Sequence, residues 1–185
     1  MKRILKTCAV VALGMLVLPL LSRAADNPYK RAKVGEWVEF SMVSETMGSK
    51  TEMKTKQTVV AKDDVSVTLR IVASMMGREM PPQETKIMLD TPYQPFVQGN
   101  SDAKVTLLGE GEETITVDGK SYQCHWAKAK VVATKPAAIE STSQAWSSKD
   151  VPLGGMVKME SDSVMTMNGK TMKSKMTMRL TGSSK

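Results

Sequence analysis

Histidine and cysteine are scarce in this sequence. It contains one histidine, His125, and two cysteines, Cys8 and Cys124. Because zinc sites in proteins use several imidazole or thiolate ligands, we expect no metal site of this kind and no other cofactor. Cys124 and His125 are adjacent, and adjacent side chains on a strand point to opposite faces, so they do not form a nucleophile–base pair.

Catalytic signatures are also missing. The carboxylates are scattered along the chain, and no spacing singles out the opposed pair that glycoside cleavage needs. Gly109-Glu110-Gly111 lacks the remaining residues of a phosphate loop, and no G-x-S-x-G hydrolase motif occurs. The sequence therefore predicts a protein that is not an enzyme.

Long apolar runs are confined to the beginning of the chain. Residues 1–8 carry three bases, residues 9–21 form a 13-residue apolar run, and residues 22–24 read Ser-Arg-Ala. This is the pattern of a cleavable export signal, and the run is shorter than the roughly 20 residues that span a bilayer. We predict a signal peptide over residues 1–24 and a single mature domain over residues 25–185, periplasmic or secreted.

The mature chain also lacks a block of like charge. Removing the four bases of the predicted signal peptide leaves 22 bases against 19 acids, so the net charge falls from +7 to +3. The remaining charges alternate in sign, which argues against a nucleic-acid partner. Only Cys124 would remain after cleavage, so no intramolecular disulfide can form. The sequence leaves the oligomeric state open.

Short turns divide the mature chain into strands, and no helix of ten or more residues is predicted. Asp118-Gly119 and Asn168-Gly169 are strong signals for two-residue hairpin turns, while residues 91–104 are rich in loop-forming residues. The pattern predicts an all-β fold, a strongly curved antiparallel meander that forms a half-barrel or open barrel. Its nine or so strands are expected at residues 37–43, 51–61, 65–76, 84–89, 112–117, 121–133, 139–147, 155–167 and 170–181.

The last hairpin has a register that can be deduced. A two-residue turn at residues 168–169 places Met165 opposite Met172 and Asp162 opposite Lys175. In this register the apolar residues and serines of both strands share one face, and the charged residues share the other. A slip by one residue would scramble both faces.

Strand 121–133 is expected to change its buried face. Tyr122, Cys124 and Trp126 alternate on a buried face, and His125 is expected to be exposed or satisfied by hydrogen bonds. After Trp126 the small apolar residues occur in the opposite phase, and this change indicates a bulge or a strand leaving the main sheet.

Methionine is abundant, with 16 residues against eight aromatic ones. Three interpretations remain open: ordinary core packing, a deformable apolar surface for lipid-like or peptide ligands, and a Cu(I) site built from thioethers. We expect a methionine-rich concave face, and its predicted ligand-binding residues are Phe40, Met42, Leu69, Ile71, Met159, Met165, Met172, Met176, Met178 and Leu180.

Residues 146–158 combine Trp-Ser-Ser with a Val-Pro-Leu-Gly-Gly corner. This segment resembles one that recurs in uncharacterised exported bacterial β-proteins. Together with the signal peptide and the meander, the layout is similar to the half-barrel of LolA/LolB-like periplasmic lipoprotein carriers. The resemblance implies a carrier with an apolar concave face, a lipid or lipoprotein as its partner, and no catalytic residues.

Two functional hypotheses follow. In the first, an exported, non-enzymatic protein binds a lipid or another apolar ligand on the methionine-rich face. In the second, the sheet closes on a dry core without a ligand, and the protein is a structural or interaction module of the cell envelope.

Overall fold

A computed structural model describes residues 27–91, 93, 96, 103–134, 138–167 and 170–184. The predicted signal peptide lies outside the described residues. After a short 3-10 turn, η1, at Pro28–Arg31, ten strands form one antiparallel sheet that is not closed, so the predicted all-β fold is confirmed. The strands are β1 Trp37–Thr46, β2 Ser49–Lys62, β3 Ser66–Met75, β4 Arg78–Glu79, β5 Gln83–Met88, β6 Lys104–Val117, β7 Lys120–Ala133, β8 Ala138–Ser147, β9 Met156–Met167 and β10 Lys170–Ser183.

Strand order in the sheet follows chain order with one exception. The sheet reads β4-β3-β2-β1-β10-β9-β8-β7-β6, and β5 also pairs with β3. Most neighbouring strands are therefore joined by short hairpin connections. The exception is the pairing of β1 with β10, which aligns Val38 with Ser183 at opposite ends of the described chain.

The sheet is strongly curved. Cα atoms of β6 and β10 come within 8 Å of each other, although three strands lie between them. In a flat sheet with strands about 4.8 Å apart, the same two strands would be roughly 19 Å apart. The sheet therefore curls towards itself without joining its edges.

The predicted register of the last hairpin is confirmed. Met172 pairs with Met165, and Lys175 pairs with Asp162, with 3.7 Å between Nζ and Oδ1. We call the side of the sheet that carries these methionines the inner face. On the outer face, a row of opposed charges crosses four strands: Lys50, Glu45, Lys175 and Asp162. Alternating charge suits a surface in contact with water.

The inner face is tightly packed at one end of the sheet, which we call the packed half. Val38, Val67 and Val157 are fully buried there, in a cluster that also contains Tyr29 of η1 and Leu153 of the corner between β8 and β9. The Asn27 side-chain amide donates to the carbonyl oxygens of Met88 and Thr91, which ties η1 to the end of β5. These segments cover the inner face where the strands alone could not.

Strand β6 corrects one prediction. It begins at Lys104, whereas the sequence predicted a loop over residues 91–104 and a strand from residue 112. Gly109 and Gly111 resemble turn residues, but they lie under the indole of Trp126. A Cβ atom at Gly111 would be 2.9 Å from Trp126 Nε1. The glycines therefore make room for an aromatic ring on the neighbouring strand.

Strand β7 changes its buried face as predicted. Tyr122 and Cys124 are buried and His125 is exposed, whereas beyond Trp126 the buried residues are Ala129, Val131 and Ala133. The register of β7 with β8 is continuous. The irregularities lie instead in the two neighbouring pairings, at Leu107/Gly109 on β6 and Trp146/Ser147 on β8.

Candidate functional site

The ten predicted ligand-binding residues share the inner face. Phe40 pairs with Leu180, Met42 pairs with Met178, and Met178 pairs with Met159. Directly opposite residues lie on the same face of a sheet, as do alternate residues of one strand. The same reasoning places Leu69 and Ile71 on this face, because they pair with Val59 and Gln57 of β2.

Five methionines form one row across five neighbouring strands. The row runs Met75, Met53, Met42, Met178, Met159, from β3 to β9, and each member is directly opposite the next. Directly opposed residues have Cβ atoms about 4.5–5.5 Å apart. Thioether side chains therefore follow each other across half of the sheet. Met53 and Met75 were not predicted from the sequence, because the register of β2 does not follow from its pattern.

The methionine row passes from the core to the surface. Met159 and Met178 are 9% and 8% exposed, whereas Met75 at the other end of the row is 41% exposed. Met42 packs against the edge of the buried cluster. The inner face thus has a packed half and a second part in which Met53, Met165 and Met172 are only partly buried. We call this second part the open half.

Hydroxyl groups cross the inner face next to this row. Ser143 Oγ donates to Ser161 Oγ over 2.8 Å, and Ser163 Oγ and Ser174 Oγ are 2.7 Å apart. Beyond them, Met165 and Met172 form a further pair at the end of β9 and β10. The open half therefore alternates between thioether and hydroxyl side chains.

The predicted residues divide between the two halves. Met165 and Met172 are half-buried and lie in the open half. Met42, Ile71 and Met176 pack partly buried against the core. The remaining five belong to the buried cluster: Phe40, Leu69, Met159, Met178 and Leu180.

A cleft of about 530 Å³ lies beside the corner between β8 and β9. Its charged and polar lining residues include Arg31, Glu112, His125 and Lys149, and residues 151–155 form one wall. Three consecutive residues of this wall have positive φ angles, Leu153 at 55° followed by two glycines. The corner that stood out in the sequence is therefore a strained, buried wall.

Cys124 has the properties of a core residue. It is fully buried, and burial raises the pKa of its thiol to about 11, with Glu113 and Glu112 adding to the increase. A thiol with this pKa is protonated near neutral pH and is a poor nucleophile. The neighbouring His125 is exposed and lies 3.9 Å from Glu110.

A second cleft, of about 560 Å³, lies beside the turn between β1 and β2. Its lining includes Met47, Glu140, Asp162 and Lys175. None of the ten predicted ligand-binding residues lines either cleft. Ser163 and Ser174, whose hydroxyls lie in the open half, do line the second cleft.

Metal-binding groups of the common kind are not gathered in the part of the chain that the structure describes. No cluster of three or more histidine, cysteine, aspartate or glutamate residues occurs there. In the same residues no helix is long and apolar enough to cross a membrane.

Comparisons with known proteins return little. No protein-family model matches the sequence, and no curated protein matches it. Among solved structures, a DUF1329 family protein from Desulfovibrio piger matches with 13% sequence identity and a TM-score of 0.28. The match covers 86% of this chain and 89% of that protein. A TM-score this low establishes neither a shared fold nor a shared function, and the resemblance to lipoprotein carriers stays an expectation.

Proposed function

We propose that this chain is an exported, non-enzymatic protein that binds a lipid or another apolar ligand along the open half of the inner face. The observation that carries the proposal is the extension of the inner face beyond the core. There, Met53, Met165 and Met172 are only partly buried, and they lie outside the buried cluster.

A methionine surface suits an elongated apolar ligand. Methionine has three rotatable side-chain bonds and a polarizable sulfur, so it adapts to ligands of varied shape. Covering this surface would remove apolar area from water, which is favourable by about 25 cal/mol per Å². The paired hydroxyls of Ser163 and Ser174 offer hydrogen bonds to a polar group of the ligand.

The alternative is a structural or interaction module of the cell envelope without a ligand. The packed half favours it, since Val38, Val67 and Val157 are completely buried and leave no room for a ligand among the core side chains. The two hypotheses therefore differ only in what happens at the open half.

Two lysine substitutions test the open half and the packed half separately. Met172→Lys lies in the open half, where the ammonium group can reach water, so we expect the protein to fold and to lose uptake of a dansyl-labelled fatty acid. Met178→Lys places a charge among buried apolar residues, so we expect it to unfold the protein. Circular dichroism reports folding, and dansyl fluorescence reports uptake.

Lys173→Met is the matched control, because Lys173 lies on the outer face next to Met172. It should keep both the fold and the uptake. Native mass spectrometry of wild-type protein, gently extracted from its own cells, should in addition reveal a co-purifying lipid mass. Clean apo protein that also ignores the dansyl probe would reject the ligand hypothesis in favour of the closed module.

A further inference from the structure

The cleft beside the corner between β8 and β9 lies outside the proposed ligand face. Its volume of about 530 Å³ falls within the usual range for small-molecule sites. Three parts of the chain line it: η1 with the residues that follow, the β6–β7 hairpin, and the corner itself. These segments are far apart in sequence, so the cleft exists only in the folded protein.

The corner wall contains hydrogen-bond donors that have no acceptor among the described residues. Ser148 and Leu153 are each 4% exposed, and Gly154 is also buried. The Ser148 hydroxyl oxygen accepts a bond from the Asp150 N–H, but the hydroxyl itself donates to none of these residues. The N–H groups of Leu153 and Gly154 have no such acceptor either. Because buried donors without a partner are rare in folded proteins, these three indicate an acceptor that enters the cleft from outside.

Two bases line the same cleft and favour an anionic acceptor. Lys149 follows Ser148 in the corner, and Arg31 is the last residue of η1. Within the part of the chain that the structure describes, neither base forms an ion pair. Hydrogen bonds from such cations to a carboxylate are roughly twice as strong as bonds between neutral groups. The corner wall therefore suits a carboxylate better than a water molecule.

The acids near these bases differ in how they are engaged. Glu36 lines the cleft, but its Oε2 accepts a hydrogen bond from the Lys33 N–H over 3.0 Å. Asp150 is not a lining residue. Glu112 lies opposite His125 on the β6–β7 hairpin, and both line the cleft. Glu112 has no ion-pair or hydrogen-bond partner in the described ranges, so its carboxylate is available to a cationic group of a ligand.

The charges that line the cleft balance, apart from the histidine. Arg31 and Lys149 are matched by Glu36 and Glu112. A ligand with only a negative charge would lie beside an unpaired acid. A ligand that has both a carboxylate and an ammonium group can instead pair with the corner and with the hairpin at once. Amino acids and short peptides with free termini have these two groups, and capture of such termini by backbone groups is a recurring mode of recognition.

We propose that this cleft binds a zwitterionic ligand, a free amino acid or a short peptide. The ligand carboxylate contacts the corner at Ser148 and Lys149, with Arg31 beside it, and the ligand ammonium group contacts Glu112. The site is separate from the open half, and its test does not depend on the apolar ligand proposed there.

Isothermal titration calorimetry with leucine and with the tripeptide Ala-Leu-Ala tests the proposal. The two probes distinguish an amino-acid site from a peptide site, and we expect at least one of them to bind. Amidation of its carboxylate and acetylation of its amine should each weaken binding by about tenfold or more, because each change removes a charged hydrogen-bonding group.

Two variants assign the two ends of the ligand. The double variant Arg31→Gln/Lys149→Gln should bind the unmodified probe about tenfold or more weakly, and amidation should then cost little further affinity. Glu112→Gln should respond in the same way to acetylation. All three side chains are exposed, so both variants should fold, and circular dichroism verifies this.

Lys33→Gln and Glu79→Gln are the matched controls. Each removes one charge from an exposed residue outside the cleft. Neither should change the affinity for the probe or the effect of its modifications.

Several results would overturn the proposal. One is the absence of binding by both probes. Others are modified probes that bind as tightly as the unmodified ones, or variants in which both modifications keep their full effect. An affinity that depends on the carboxylate alone would reject the zwitterion in favour of a simple anion. Uptake of the dansyl fatty acid, measured on the same samples, reports separately on the ligand face.

Discussion

Gly155 and Gly48 illustrate how differently two glycines of similar backbone geometry are used. Both have positive φ angles, 75° and 80°. A Cβ atom at residue 155 would lie 2.6 Å from the carbonyl oxygen of Ser148, whereas a Cβ atom at residue 48 would meet nothing within 4 Å. Gly155 also accepts a hydrogen bond from the Ser148 N–H, so the obstructing atom belongs to the fixed backbone of the corner.

Alanine substitutions at Gly48 and Gly155 should distinguish the cost of a positive φ angle from the cost of a steric clash with the backbone. We expect Gly48→Ala to cost about 1 kcal/mol, the penalty of positive φ alone, and Gly155→Ala to cost at least about 3 kcal/mol, because the backbone must also move. Urea unfolding measures both values. Equal costs at the two positions would contradict the close approach between Gly155 and Ser148.

Single residues were predictable from the sequence where strand alternation decides their environment. The burial of Cys124 follows from alternation, and the structure confirms it; of the two alternatives for His125, the structure shows the exposed one. The methionine row was not predictable, because it depends on the alignment of five strands. One of its pairings, Met42 with Met178, joins β1 to β10, and no local turn specifies it.

At the scale of elements, the turn between β2 and β3 is organised by one carboxylate. Asp63 accepts hydrogen bonds from the N–H groups of Val65 and Ser66 and from the Ser66 hydroxyl. These bonds, first of all the one from Val65, lower the pKa of Asp63. The folded-state pKa therefore lies below the unfolded value of about 3.9. The stabilisation is fully present above that value and is lost as the pH falls through the folded-state pKa.

Asp63→Asn should accordingly lower stability at neutral pH, and the difference from wild type should shrink as the pH falls below about 4. Denaturant unfolding at a series of pH values measures this difference. Asp64→Asn, at the neighbouring turn position, is the control and should show no such trend. A difference in stability between wild type and Asp63→Asn that stays constant down to pH 2 would contradict the role of the ionised carboxylate.

Hairpins with strong turn signals were the predictable elements. The register of β9 and β10 follows from a two-residue turn and the sorting of apolar and charged residues. The first half of β6 was not predicted, because Gly109 and Gly111 are typical of a turn between strands. In the structure they instead make room for the ring of Trp126. The turn chemistry of Met47-Gly48 was missed because methionine carries no turn signal.

At the scale of the whole molecule, one sheet serves two purposes. Its packed half buries side chains under η1 and the β8–β9 corner, while its open half leaves methionines and serines partly accessible. The sequence predicts the meander and its inner face. It does not predict which half of the inner face is buried, because that depends on where η1 and the β8–β9 corner pack against the paired strands.

The β1–β10 pairing makes the native chain order unfavourable for assembly. Every other adjacent pair in the sheet connects segments close in sequence, but β1 and β10 come together only across almost the full length of the described chain. A circular permutant that begins at β6 and joins residue 184 to residue 27 through a flexible linker would place β10 and β1 next to each other in sequence. In this permutant, every two strands that are neighbours in the sheet between β6 and β3 would also be consecutive in sequence.

Such a rearrangement lowers the contact order without changing a strand pairing, so refolding should accelerate while the unfolding rate stays near that of the parent. Stopped-flow fluorescence of the tryptophans measures both rates. Equal refolding rates for parent and permutant would mean that joining the first and last strands does not limit assembly. A permutant that refolds faster would show that refolding is slowed by the order of the strands along the chain and not by the sheet that they form.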